Sequence, residues 1–441
     1  MKFNKWTLGL AAVGVVSLSS VAQAEEKMSS IQAALETTTI SGYVDTSIQW
    51  NPGTGNASVA PVSYQGPGKA DGFNLNVVQL SVSKALDESE WASGYKVDLW
   101  LGPDANSLSS QSIFASGGQA SQGDLAVRQA YVALRTPVGN GIDWKIGVFD
   151  TIIGYETHES GNNPNYTRSY GYTIEPTTHT GVLGTYRVND TVSFAFGIAN
   201  TFGPAINERA HGPNAGPADG APTGAESYKT YMGSVALTAP DSWGWAAGSS
   251  LYLGIVNGFS TGVLEAQTSF YAGATVATPV TGLKVGVAFD YLKAHDFPSN
   301  ADSIWTLAGY ASYQATEKLS LHGRGEYLKG ELPGQDIELF ALTGTVQYDL
   351  WKNVISRLEV RWDHISEGGG AFGGKTASGN ASNADSETPG PIELSALDED
   401  DYHFDSSAIE DVLGFNSGVP STSTGNDKNA VLVALQFIYK F

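Results

Sequence analysis

The chain has no cysteine, only three methionines, and 24 basic residues against 45 acidic ones in 441. Without cysteine there is no disulfide framework, so stability must come from buried area or from closure of the fold. A net charge of −21 excludes the basic footprint that nucleic acid or an anionic lipid surface would demand. Beyond the N-terminus no run of 18 or more apolar residues occurs, so no segment reads as a transmembrane helix. That N-terminus is itself too short to span. Lys2 and Lys5 precede the apolar stretch Trp6 to Leu18, and Ala22-Gln23-Ala24 supplies a small-x-small cleavage site. Residues 1–24 therefore read as a secretory signal peptide. The chain is expected to be exported, and then either to stay soluble or to enter a membrane as strands.

Aromatic residues and glycine are abundant: Trp 10, Tyr 20, Phe 17 and Gly 52. Their arrangement is clearest in the last segment. Val431, Val433, Leu435, Phe437, Tyr439 and Phe441 alternate with Leu432, Ala434, Gln436, Ile438 and Lys440, a period of two that places the first set on one strand face. Residues 25–38 read as a periplasmic lead-in with room for a helical turn or two. From Thr39 onwards the alternation repeats over 39–50, 73–86, 92–102, 124–136, 141–150, 178–188, 191–202, 227–238, 242–256, 264–278, 281–293, 302–315, 317–329, 336–350, 353–366 and 428–441. Short connections with turn chemistry, among them Asn140-Gly141, Asn189-Asp190 and Asp241 to Trp243, alternate with longer ones. The expectation is an all-β fold: a transmembrane antiparallel β-barrel of about 16 strands over 39–441, with short periplasmic turns and long extracellular loops.

Charge is segregated by face. Arg357, Glu359, Arg361 and Asp363 oppose Leu358, Val360 and Trp362, while Arg324 and Glu326 oppose Gly323, Gly325 and Tyr327. Lys284 and Asp290 oppose Val285, Val287 and Phe289. A soluble sandwich could carry the same alternation with the faces exchanged. The signal peptide, the strand length, the loop asymmetry and the terminal Phe favour the barrel, in which Lys284, Asp290, Arg324, Glu326, Arg357, Glu359, Arg361 and Asp363 line the pore. Segment 124–136 resists this treatment, because Arg128 and Arg135 fall on opposite faces by parity and its inner face cannot be assigned. Trp100 and Tyr43 are candidates for inward-facing aromatics, two residues being too few for a sugar track.

Two loops stand out. Residues 151–177 exceed the usual length of an unstructured connection and are dense in Asn, Pro and Tyr. They read either as a constriction loop folded into the barrel, with Glu156, Asn165 and Arg168 at its narrowest point, or as a surface loop packed on the rim. Residues 367–427 carry twelve acids, densest at Asp398 to Asp401, against the single Lys375. No EF-hand spacing is present there, and no metal or cofactor is assigned.

The motifs Gln129-Ala130-Tyr131-Val132, Gly147-Val148-Phe149-Asp150, Gly154-Tyr155-Glu156, Asn163-Pro164-Asn165 to Tyr170 and His179-Thr180-Gly181 together resemble the family of β-barrel porins with OmpL-like members. The acidic loop before the last strand is not part of that resemblance. The resemblance implies an outer-membrane pore in a Gram-negative-type bacterium. Its partners would be outer-membrane lipid and small hydrophilic solutes and ions, with no nucleic acid. A homotrimer is common for porins of this size, although no interface is readable. Passive diffusion is the leading function. A substrate-selective porin and an adhesin or structural barrel with a plugged lumen are the alternatives. An enzyme is disfavoured, because His158, His179, His295, His322 and His364 are scattered with no spacing to a nucleophile or carboxylate partner.

Overall fold

The computed structural model describes residues 37–52, 72–108, 110, 124–210, 228–259, 266–295, 301–332, 335–367 and 428–441. The signal peptide, nearly all of the lead-in and the acidic loop with Asp398 to Asp401 lie outside the described residues. Sixteen strands run in order: β1 Thr39–Trp50, β2 Gly72–Lys84, β3 Ser93–Leu101, β4 Leu125–Thr136, β5 Ile142–Asp150, β6 Thr178–Arg187, β7 Val192–Ala199 and β8 Thr230–Thr238, then β9 Ser250–Phe259, β10 Ala266–Ala277, β11 Leu283–His295, β12 Ala301–Gln314, β13 Leu319–Leu332, β14 Gln335–Trp351, β15 Val354–Glu367 and β16 Asn429–Lys440. Each pairs antiparallel with its neighbour in sequence, and β1 pairs with β16, so the sheet is a closed barrel. Reciprocal backbone hydrogen bonds between Gly42 and Phe441, 3.0 Å each, seal the seam at the short-turn end. No helix among the described residues is long and apolar enough to cross a membrane.

The faces follow the period of two. On β15 Leu358, Val360 and Trp362 are exposed outwards, whereas Arg357, Glu359, Arg361 and Asp363 are buried inside. A ridge of aromatic rings, Phe289, Trp305, Tyr327 and Phe340, crosses the outer face of β11 to β14 with successive centroids 6.2, 5.1 and 4.8 Å apart. Trp351, Tyr348, Tyr439 and Phe441 are exposed near the short-turn end. Two aromatic girdles flanking an apolar band are what a bilayer selects on a barrel exterior.

Two expectations are corrected. Strand β4 carries a β-bulge: Asp98 pairs with Gln129 and Leu99 with Val127, leaving Arg128 as the extra residue. A bulge switches the side-chain parity of all that follows. Ala126 and Arg128 point inwards before it, Gln129, Tyr131 and Arg135 after it. Arg128 and Arg135 thus share the inner face. Strand β9 begins at Ser250 instead of residue 242, because Asp241–Ala246 forms a 3₁₀ turn in which Gly244 has φ 61°.

The lipid-facing assignment has a depth-dependent consequence. Val360→Arg, in the middle of the outer band, is expected to lower stability by about 2–4 kcal/mol, and Val354→Arg near the short-turn end by about 0–1 kcal/mol. Reversible urea unfolding in lipid vesicles measures both, and equal costs would contradict the assignment.

Candidate functional site

Strands β5 and β6 are neighbours, so the 27 residues between Asp150 and Thr178 are far more chain than the connection needs. Their backbone must find hydrogen-bond partners wherever it is buried. It finds them inside the barrel. On β15, Glu359 accepts from the N–H groups of Tyr166 (2.6 Å) and Thr167 (2.9 Å) and from the Thr167 hydroxyl (2.6 Å). On β13, Glu326 accepts from the Tyr170 N–H at 2.7 Å. Arg324 donates to the carbonyls of Thr167 (2.8 Å) and Arg168 (3.1 Å), and Arg361 donates to the Arg168 carbonyl at 2.7 Å. Arg357 holds the carbonyls of Ser160 (2.8 Å) and Asn163 (2.6 Å). Lys440, at the short-turn end of β16, reaches the Gly161 carbonyl at 3.2 Å, so the segment extends most of the way down the lumen.

The same wall charges are paired among themselves. Arg324 bridges Glu156 (2.8 Å) and Glu326 (2.7 Å), and Arg361 engages Asp363 at 2.8 Å while its guanidinium lies 4.9 Å from the Tyr170 ring centre. Side-chain exposure at Arg324 and Arg361 is 0%. Charges this deep are tolerable only when every donor and lone pair is met.

The remaining contacts circle the barrel. Ile152 and Ile153 pack in one apolar cluster with Leu183, Met232 and Val256. Tyr155 stacks on Tyr310 at 4.1 Å and its hydroxyl meets the Thr275 hydroxyl at 3.2 Å. Glu159 accepts from Arg128 at 2.8 Å and from Gln79 at 3.2 Å. Tyr166 reaches the Ser47 hydroxyl at 3.0 Å and Gln49 at 3.3 Å.

Locally the segment is well specified. A one-turn helix, α1 (Tyr170–Ile174), is capped by Ser169, whose side chain accepts from Tyr172 N–H at 3.1 Å. His158 lies between the Tyr172 hydroxyl (2.6 Å from Nδ1) and the Thr177 carbonyl (3.0 Å from Nε2). A carbonyl only accepts, so Nε2 carries the proton. Burial lowers the pKa of this histidine and keeps it neutral. Glu159 is also buried, which works against ionisation, but Arg128 and then Lys96 hold its carboxyl below the usual range.

The residues singled out in the sequence are placed as follows. Asp290, Arg324, Glu326, Arg357, Glu359, Arg361 and Asp363 all point inwards and are covered. Lys284 sits exposed at the turn end of β11. Glu156 is bound to Arg324 and to the Ser169 N–H at 3.0 Å, and Asn165 donates to the Thr345 hydroxyl at 2.7 Å. The Arg168 guanidinium turns back into its own segment, onto the carbonyls of His158 (2.9 Å) and Tyr166 (3.3 Å). Sequence reasoning missed the second charged cluster, Lys96, Asp98, Arg128, Asp150 and Glu159. The β4 bulge hid it, since parity alone could not bring Arg128 and Gln129 onto the Asp98 carboxylate together.

The family model described as "Putative beta-barrel porin-2, OmpL-like" matches residues 37–386. No curated protein matches in sequence. Among solved structures, the chain is similar to the anion-selective porin from Comamonas acidovorans, with a TM-score of 0.54 at 12% identity over 92% of this chain and 99% of that one. It is also similar to the outer membrane channel DcaP of Acinetobacter baumannii, TM-score 0.54 at 10% identity, covering 92% and 97%. For OmpF of Salmonella typhi the TM-score is 0.51 at 13% identity, covering 92% and 97%. At such identities the likeness is one of fold.

Arg324 holds both acids and backbone, so its loss tests the docking. Arg324→Met leaves Glu156 without its base and Glu326 with only Arg361 at 3.8 Å, and is expected to cost roughly 3–5 kcal/mol. Adding Glu326→Gln should recover part of that loss. Urea unfolding together with protease cleavage at 151–177 reads both. An unchanged midpoint in the single variant would contradict the network.

Proposed function

The chain belongs to the OmpL-like β-barrel porin-2 family and is an outer-membrane porin, and from that premise we propose that ions and small hydrophilic solutes diffuse passively through a lumen that residues 151–177 narrow from within. The observation that carries this reading is the docking of that segment on β13 to β15, far below the rim. It covers one wall of the lumen with backbone and leaves the opposite wall wetter. Side-chain exposure is 0–1% at Arg324, Glu326 and Arg361. It rises to 13% at Lys96, 22% at Asp150, 27% at Arg135 and 39% at Asp143. The solute path accordingly runs along the inner face of β3 to β5. Glu156 and Asn165 anchor the narrowing segment to the wall, Arg168 braces it from within, and none of the three faces the passage. The outer apolar belt faces lipid, and a homotrimer would bury part of it between copies.

Selectivity follows from which charges remain unanswered. The wall under the segment is neutralised by its own pairs, whereas residues 367–427 carry twelve acids against one lysine. Those acids concentrate cations at the mouth when the Debye length is about 30 Å, at 0.01 M salt, and are screened when it is about 3 Å, at 1 M. A modest cation preference that fades with rising salt is expected in reversal-potential measurements. Anion preference at low salt would assign the selectivity to inward-facing bases such as Lys96 instead.

Loosening the anchors should open the passage. Glu156→Ala combined with Arg168→Ala is expected to raise single-channel conductance in a barrel that still shows heat-modifiable gel mobility. Because the segment touches wall strands nearly all the way round, electrical silence of the unmodified protein would favour the plugged barrel instead.

A further inference from the structure

Glu175 and Asp290 are lumenal acids with no base to answer them. The other carboxylates on that side are matched: Glu156 and Glu326 by Arg324, Asp363 by Arg361, and Glu359 by two backbone N–H groups and two hydroxyls. Among the described residues no Lys, Arg or His forms an ion pair with Glu175 or Asp290.

The geometry holds the two acids together from both sides. Gly171 of α1 lies so close over Asp290 Oδ2 that a Cβ there would collide with it. The Thr306 hydroxyl donates to the same oxygen at 3.3 Å. Glu175, the residue after α1, folds back over Gly154. Its Oε2 occupies the place where a side chain at 154 would begin, and Gly154 has φ +116°, which favours glycine. The start of the segment thus lies against Glu175, and its returning end against Asp290. The Glu175 and Asp290 carboxyl groups are electrostatic neighbours, Asp290 Oδ1 is buried with no hydrogen-bond partner among the described residues, and two carboxyl groups can bond to each other only when one is protonated. The other groups around the two acids are Tyr271 from β10, Thr306 from β12 on Asp290, and Glu156 within the segment, the last already held by Arg324.

We propose that Glu175 and Asp290 form a proton-dependent latch, which fixes the returning end of the 151–177 segment to β11 while one proton is shared and releases it when that proton is lost. Burial, then the neighbouring Asp290 carboxylate, then Glu156, push the Glu175 carboxyl well above the usual carboxylate range. A carboxyl raised in the docked state favours docking fully below its ordinary range and loses that contribution as pH rises through the raised value. The latch thus opens towards alkaline pH. Only its effect on passage rests on the constriction reading above.

The absence of native cysteine allows a single reporter thiol. The full-length protein carrying Thr173→Cys, in lipid vesicles, is labelled with a water-soluble maleimide, with and without Glu175→Gln. The glutamine amide can donate to Asp290 at any pH, so that background stays latched. Thiol ionisation rises equally in both proteins, and the ratio of their labelling rates removes it. The ratio is expected near one at about pH 5 and roughly threefold or more at about pH 9. A ratio near one throughout would overturn the latch. Asp290→Asn serves the same purpose if Glu175→Gln does not reach the heat-modifiable folded form. Single-channel conductance recorded in parallel separates the two ideas. Labelling that changes while conductance does not leaves the latch standing and removes the constriction.

Discussion

Everything in this structure depends on backbone polar groups having to be paired where water is absent. In a bilayer that constraint forbids a free sheet edge, so β16 has to return to β1. The reciprocal bonds between Gly42 and Phe441 are where the chain satisfies it. Closure then creates an interior whose wall is set by alternation, reset where a bulge such as that in β4 shifts the parity. The same demand, applied to the 151–177 segment inside that interior, explains why its inner wall is charged. A buried loop has no ladder of its own, and side chains that can each meet several backbone groups are the economical substitute. Glu359 takes two N–H groups, and Arg324 and Arg357 each take two carbonyls.

This changes what the wall arginines and glutamates are for. Desolvating an ion costs several kcal/mol unless its attraction to a partner and its further hydrogen bonds offset the loss. Arg361 shows how the offset is assembled: a two-pronged contact with Asp363, the Arg168 carbonyl, and the face of Tyr170. Such a residue is occupied on every side and has nothing left to offer a passing ion. The lumenal charges that retain some solvent here are Lys96 on β3, Asp150 on β5 and Glu159 of the segment, gathered round the buried pair of Asp98 and Arg128.

The parts of the fold that depend on local periodicity were legible in the chain. The inward set on β13 and β15 and the outward set on β16 follow from counting by two. So do the strand number and the turn chemistry at the short-turn end. Legibility failed where one residue changed the count. The bulge at Arg128 has no sequence marker, since neither glycine nor proline accompanies it, and it is defined only by its pairing with β3. It also failed just beyond the turn read at Asp241 to Trp243, where Trp245 read as a strand residue but stands exposed on the same 3₁₀ turn. The Asn, Pro and Tyr density of 151–177 signalled an ordered segment, yet the partners that order it lie up to 279 positions away. No local pattern encodes which wall such a segment will meet.

The segment's order and its one exception arise from the same arithmetic of donors and acceptors. Wherever a base is present, acids and backbone carbonyls share it and the contact is insensitive to modest changes of pH, because arginine does not titrate in the relevant range. At Asp290 the supply of bases runs out: Arg324 is committed to Glu156 and Glu326, and Arg361 to Asp363. The contact there can be completed only by a proton. A network built from fixed charges therefore contains one junction that depends on a mobile one. It lies at the foot of α1, where the segment turns back towards β6 and where a small displacement would be carried along its whole returning limb.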